Sequence, residues 1–212
     1  VKIMQTGRTN DKGKDIIIEF ECKTLNLFEI AFSKGSNKKA VIYIECKSSN
    51  SNQTLRREKF MTSIERGSAL KIDYYILLTN SKIMACDYYN VENELSSKGI
   101  QFILIDQYLL ARFLRKNNCG YFKDIPLYGG DDEYYVEYQV FQNETNDKIY
   151  DIYFLFRNYS QTSQLYTISM VTNVNWNTND ENFSFTIDSN RAQSKKVSLK
   201  CDYENDYKPL LF

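Results

Sequence analysis

The chain has 212 residues, 42% hydrophobic, 25% charged and 15% aromatic, with 8 glycines and 2 prolines. That composition suits packed cores and excludes disordered, collagenous or Pro-rich classes. Its 27 basic residues balance 27 acidic ones, and histidine is absent. Ser-His-Asp triads, Cys-His pairs, HExxH zinc sites and histidine-metal nuclease fingers are therefore excluded. Any chemistry must run on carboxylates, lysines, cysteines, hydroxyls or borrowed metal ions.

The five cysteines (Cys22, Cys46, Cys86, Cys119 and Cys201) are scattered, with no CxxC pair. This reads as reduced, mostly buried thiols in a cytoplasmic protein, not a disulfide framework or zinc knuckle. No apolar run approaches the ~20 residues of a membrane span, and no signal-peptide pattern opens the chain. No membrane partner is expected. Residues 1–125 hold 20 basic and 14 acidic residues, whereas 126–212 hold 7 and 13. Such a split suits two modules, the first better matched to a polyanion.

In chain order, Val1–Gln5, Asp15–Lys23, Leu27–Phe32 and Ala40–Lys47 read as strands separated by polar turns. Leu55, Phe60, Met61 and Ile64 space an amphipathic helix over Gln53–Leu70. Tyr74–Thr79 reads as a strand, Tyr88–Lys98 as a helix stopped by Gly99, Ile100–Ile105 as a buried strand and Gln107–Asn117 as a helix. The joint falls at Pro126–Glu133, with its proline, two glycines and acidic run. Beyond it the pattern is all β: Tyr134–Gln142, Lys148–Arg157, Leu165–Val174, Phe183–Asp188 and Lys196–Tyr203. Evenly spaced short strands predict a sandwich, for which an immunoglobulin-like arrangement is one form.

Three acid-x-lysine triplets occur: Glu21-Cys22-Lys23, Glu45-Cys46-Lys47 and Asp206-Tyr207-Lys208. Chance supplies about as many, so context must separate them. Glu45-Cys46-Lys47 ends the apolar run Val41-Ile42-Tyr43-Ile44. Alternation on a strand puts Glu45 and Lys47 on one face and Ile44 and Cys46 on the other. An acid beside an ammonium at a strand end can bind a divalent cation and a phosphate together. Asp15 opens another apolar strand after the Gly13 turn, and converges on Glu45 if those strands are neighbours. Two carboxylates plus a backbone carbonyl suit Mg²⁺. The alternative is an ordinary exposed salt bridge.

In this context the chain resembles the PD-(D/E)XK nuclease superfamily, particularly Mrr-type restriction endonucleases. Asp11-Lys12-Gly13-Lys14-Asp15 looks like the family's glycine turn followed by Asp. Val41–Lys47 looks like its strand ending in (Glu/Gln)-Cys-Lys. Tyr75–Ser81 resembles the following strand with its Thr-rich end. Ile103-Leu104-Ile105-Asp106, with Leu109-Leu110-Ala111, resembles the closing strand and last helix. The likeness spans roughly residues 3–115. It departs from the family in two ways. The core usually opens with a helix, whereas a strand-like run begins here. Also, 29 residues lie between Asp15 and Glu45, implying an inserted hairpin around Leu27–Lys38. Glu19 and Glu21 share Asp15's strand face, as accessory ligands or solvated charges.

The resemblance implies a restriction-endonuclease-like α/β domain over 1–125, with a mixed central sheet flanked by helices, ahead of a β-sandwich over 131–212. It implies a DNA endonuclease in defence against foreign DNA. Asp15 and Glu45 would hold Mg²⁺ (with Mn²⁺ as a substitute), joined by the Cys46 carbonyl, and Lys47 would serve the attacking water or the transition state. Arg8, Lys12, Lys14, Arg56 and Arg57 are candidate contacts to double-stranded DNA, although Arg56 and Arg57 also fit a solvated helix face. The sandwich would engage DNA, another protein or a second copy of the chain. The rival expectations are an inactive nuclease fold working as an interaction protein, and a repair- or junction-type nuclease.

Overall fold

The computed structural model describes residues 1–5, 16–37, 39–48, 54–60, 71–117, 134–169, 176–178 and 182–201. Its elements are mostly β. Strands β1 (Lys2–Gln5), β2 (Ile16–Phe20), β5 (Ala40–Lys47), β6 (Tyr74–Thr79) and β7 (Gln101–Ile105) form a mixed sheet in the order β1-β2-β5-β6-β7. The β1-β2-β5 side is antiparallel, and β5-β6-β7 is parallel. Parallel neighbours need covered faces, which explains the near-continuous apolar runs of β5 and β6.

One face carries Ile17, Val41, Tyr43, Tyr75, Leu77, Phe102 and Leu104. Helix α1 (Ala85–Ser97) covers it with Ala85, Tyr88, Val91 and Leu95. The other face, with Ile18, Ile42, Ile44, Ile76 and Ile103, packs on Ile30 and Phe32 and on Leu109 of α2 (Gln107–Lys116). Gly99 stops α1 as its sequence position predicts. Its φ of +73° lets Gly99 N–H donate to the Ser96 carbonyl and Ile100 N–H to that of Leu95, both at 2.9 Å. That is a Schellman stop closed by an apolar Leu95–Ile100 pair. Asp106 starts α2, accepting the Tyr108 and Leu109 N–H groups at 3.1 and 3.0 Å.

The segment read as one strand at Leu27–Phe32 is instead the bend of a hairpin, β3 (Thr24–Leu27) and β4 (Ile30–Ser33). Phe28 and Glu29 make the two-residue turn with φ of 52° and 61°, the signature a hairpin normally gives to Asn-Gly. The ring of Phe28 on Phe113 (5.2 Å) and the Glu29 carboxylate on Lys116 (2.6 Å) hold that bend against α2. Of the expected Gln53–Leu70 helix, residues 54–60 are described: 58–60 are helical, whereas 54–57 are not, the Leu55 N–H donating instead to the Lys82 carbonyl at 2.8 Å. The joint at 126–133 lies outside the described residues.

The C-terminal half consists of antiparallel sheets. Strands β8 (Tyr134–Gln142), β9 (Ile149–Asn158), β11 (Trp176–Asn177) and β13 (Arg191–Cys201) pair in the order β11-β13-β9-β8. Strands β10 (Gln164–Ser169) and β12 (Asn182–Ile187) form a separate two-stranded sheet. Aromatic rings fill the space between, with Phe156 lying 4.9 Å from Phe185 and 5.7 Å from Tyr166. The two-residue β11 is too short for the sequence pattern to show. β13 begins at Arg191, earlier than the expected Lys196, because its polar start is held by pairing with β9.

The opposite face of β9 and β13 lies on α1. Leu155 joins the core beneath that helix, Tyr153 packs on Tyr89 (5.4 Å), and the Tyr88 hydroxyl donates to the Ala192 carbonyl (3.2 Å). Among the described residues no helix is long and apolar enough to cross a membrane, and Cys22, Cys46, Cys86 and Cys201 form no disulfide.

Glu92 of α1 is half-buried at this contact and accepts hydrogen bonds from the Ser194 N–H (3.1 Å) and hydroxyl. Burial pushes its carboxyl above the ordinary 4.5, with the Ser194 bonds pulling the other way. A raised carboxyl favours the folded state below the unfolded pKa, and that contribution is lost as pH rises through the folded value. Glu92→Gln retains an acceptor for Ser194 but carries no charge. It should be more stable than the wild type to urea at neutral pH and similar below pH 4.5. Equal or lower stability at neutral pH would contradict this account.

Candidate active site

The parallel arrangement brings the carboxyl ends of β5 and β6 together, with Glu45 opposite Leu77 and Lys47 opposite Thr79. Alternation along β5 turns Glu45 and Lys47 toward the α1 face, while Ile44 and Cys46 pack on the other side. The two charged side chains meet, the Lys47 Nζ lying 2.8 Å from Glu45 Oε1. The contact is not an exposed strand-end salt bridge, because the Glu45 side chain is 0% exposed and that of Lys47 is 20% exposed. Glu45 Oε1 sits at ion-pair distance without hydrogen-bond alignment. Its second oxygen, Oε2, accepts the hydroxyl proton of Tyr75.

Tyr75 is the residue of this candidate site that the sequence reading missed. It is fully buried, and its ring is wedged between Tyr43 (5.6 Å) and Phe102 (6.0 Å). Tyr75 therefore fixes the rotation of the Glu45 carboxylate, aiming Oε1 at the strand end where Lys47 stands. The signal that could have found it is the register itself. With Tyr43 beside Tyr75 in a parallel pair, position 45 is the next residue of β5 on the same face, within reach of the Tyr75 hydroxyl.

The other predicted site residues divide into two groups. Cys46 is half-buried between Glu45 and Lys47. Arg56 is exposed, whereas Arg57 donates to Glu94 of α1 at 2.6 Å and so braces the helix. Asp15, Arg8, Lys12 and Lys14 lie outside the described residues. Of the accessory acids, Glu19 pairs with Lys39 at 3.1 Å, and Glu21 is exposed beyond the end of β2. Among the described residues no group of three or more cysteine and carboxylate side chains is placed to hold a metal. At this strand end the described residues offer one buried carboxylate, Glu45, a hard donor of the kind Mg²⁺ takes, and a complete set needs a further acid.

A second polar cluster joins the two halves. Asp106, at the end of β7, accepts from the Tyr159 hydroxyl (2.7 Å) and lies 3.3 Å from Arg157 Nε. Arg157 also reaches Glu137 at 3.3 Å, and Glu137 takes Lys82 at 2.6 Å. The Arg112 guanidinium donates to the Tyr159 carbonyl. Burial alone would lower Arg157, but Asp106, Tyr159 and Glu137 outweigh it and hold the guanidinium above its ordinary value. Burial next to Asp106 pushes the Tyr159 phenol up, so it remains a donor. These charges are paired within the protein and read as structural, with Arg157 Nε at ion-pair distance from Asp106 but without hydrogen-bond alignment. Comparison with family models, curated proteins and solved structures finds no match for this chain.

Proposed function

We propose that this protein is a Mg²⁺-dependent endonuclease acting on double-stranded DNA, with the restriction-endonuclease-like core that its resemblance to the PD-(D/E)XK nucleases implies. Defence against foreign DNA is the corresponding setting. The observation carrying the proposal is the Glu45–Lys47 pair, 2.8 Å apart at the carboxyl end of a buried central strand. The mixed sheet is in keeping with that core.

The register adds support. Ile16 pairs with Ile44 across two neighbouring antiparallel strands, and these are the residues that adjoin Asp15 and Glu45 in the sequence. In this reading Asp15, Glu45 Oε1 and the Cys46 carbonyl hold the cation. Bound there, Mg²⁺ supplies Lewis acidity to the scissile phosphate and a more acidic water. The chain's own groups do the rest. Tyr75 holds Glu45, and the Lys47 ammonium donates to the attacking water or to a non-bridging oxygen as charge builds. In-line attack leaves 5′-phosphate and 3′-hydroxyl ends. Arg56 adds salt-sensitive phosphate affinity that carries no sequence information.

One observation favours a second reading, an inactive fold serving as an interaction protein. Glu45 is wholly buried, and Tyr75 and Lys47 already meet its two oxygens. Plasmid nicking with Mg²⁺ or Mn²⁺ against an EDTA control separates the two. The nuclease reading expects metal-dependent nicking that falls about 100-fold or more in Asp15→Ala and in Glu45→Gln. Nicking that survives both substitutions would refute this site. A folded protein that binds no Mn²⁺ and nicks nothing would establish the interaction reading.

A further inference from the structure

We propose that β8 is a dimer interface, pairing antiparallel with β8 of a second copy of this chain about a two-fold axis through Tyr138. Among the described residues β8 is the terminal strand of its sheet, bonded to β9 on one side. Tyr134, Tyr135, Val136, Tyr138 and Phe141 are 43% to 64% exposed, an unusual concentration of large apolar side chains on one strand. Edge strands of monomeric proteins are normally protected by lysine, proline, a bulge or extreme shortness. Tyr134–Gln142 runs for nine residues without lysine, proline or glycine. The defence is missing where a strand-to-strand interface would forbid it.

Electrostatics and strand geometry select the occupant and the register. The only charged residue of β8 is Glu137, and it is already neutralised within its own chain by Lys82 (2.6 Å) and Arg157 (3.3 Å). A copy of the same strand can therefore approach without meeting uncompensated charge. Residues directly opposite in an antiparallel pair share a face, so a two-fold pairing must centre on a residue and not between two. Centring on Glu137 would put two carboxylates opposite each other, which is destabilising. Centring on Tyr138 overlaps the strand from end to end. It sets Tyr135 against Phe141, Val136 against Val140, and Glu137 against the uncharged Gln139. Aromatic and β-branched cross-strand pairs of this kind stabilise a ladder. The product is one continuous sheet built from two four-stranded ones.

The register predicts a charge-swap result at Tyr138, the residue on the two-fold axis. Light scattering on the full chain should show a dimer. Tyr138→Lys and Tyr138→Glu should each be monomeric, because each places like charges opposite one another. An equimolar mixture of the two should regain the dimer. Both substitutions sit at a half-exposed position, and far-UV circular dichroism checks that each remains folded. A wild-type monomer at all concentrations overturns the proposal, as does a dimer that persists in the single variants. Failure of the folded mixture to reassociate overturns it too. None of these outcomes depends on nuclease activity.

Discussion

Lys47→Ala should lose Mg²⁺-dependent nicking by about 100- to 1,000-fold, the usual effect of removing one preorganised donor from developing charge. It should also unfold more readily, by on the order of 2 kcal/mol, because a buried carboxylate loses its cation. The two effects have different origins and can be separated. The double variant Glu45→Gln with Lys47→Met removes both charges and should recover most of the stability, since glutamine still accepts from Tyr75. It should recover none of the activity. Urea unfolding and plasmid nicking on the same preparations give both readings. Lys47→Ala with unchanged cleavage would remove the amine from the mechanism. A double variant as unstable as the single one would mean that the cost lies in packing and not in stranded charge. Tyr75→Phe completes the set, releasing Glu45 Oε2 while keeping the ring between Tyr43 and Phe102.

The second large effect is expected far from that strand end. Arg157 is 4% exposed and stands between Asp106 and Glu137, with its guanidinium carbon 5.8 Å from the centre of the Tyr135 ring. Arg157→Leu fills similar space but leaves two carboxylates without their shared cation, a loss of about 3–5 kcal/mol for a buried pair broken on one side. Asp106→Asn keeps an oxygen to cap α2 and to receive Tyr159, so it should cost less. Combined with Arg157→Leu, it should add less than its separate cost, because the two residues share one interaction. Urea midpoints of the two single variants and the double test this. Strict additivity would show that Asp106 and Arg157 do not act on each other.

What the sequence made legible follows the range of the forces involved. Strand β6 and strand β8 fall at their expected limits, since period and turn residues are local properties. The stop at Gly99 was equally local. An inserted hairpin was expected around Leu27–Lys38, but its turn at Phe28-Glu29 was not visible, because neither residue advertises a positive φ. The bend is imposed by Phe113 and Lys116, more than 80 residues away. α1 starts at Ala85 after Met84, which offers no side-chain cap, so nothing marked its beginning. At the site, alternation alone placed Glu45 and Lys47 on one face. Their burial and the Tyr75 hydrogen bond required knowing which strand lies beside β5. Arg57 looked like a solvated or phosphate-binding residue until Glu94, 37 positions on, proved to hold it.

Helix α1 touches a sheet on each side: Val91 and Leu95 enter the core of the first, while Glu92 and Tyr88 grip β13 of the second. Its remaining side, with Asn90, Asn93 and Ser97, is exposed, so load between the sheets runs through the two packed sides. Any shove the helix takes from the C-terminal strands is passed to the wall that carries Tyr75 and, through that ring, Glu45. The helix is therefore a wall shared by both sheets, and the packing of one bears on the side chains that face the other.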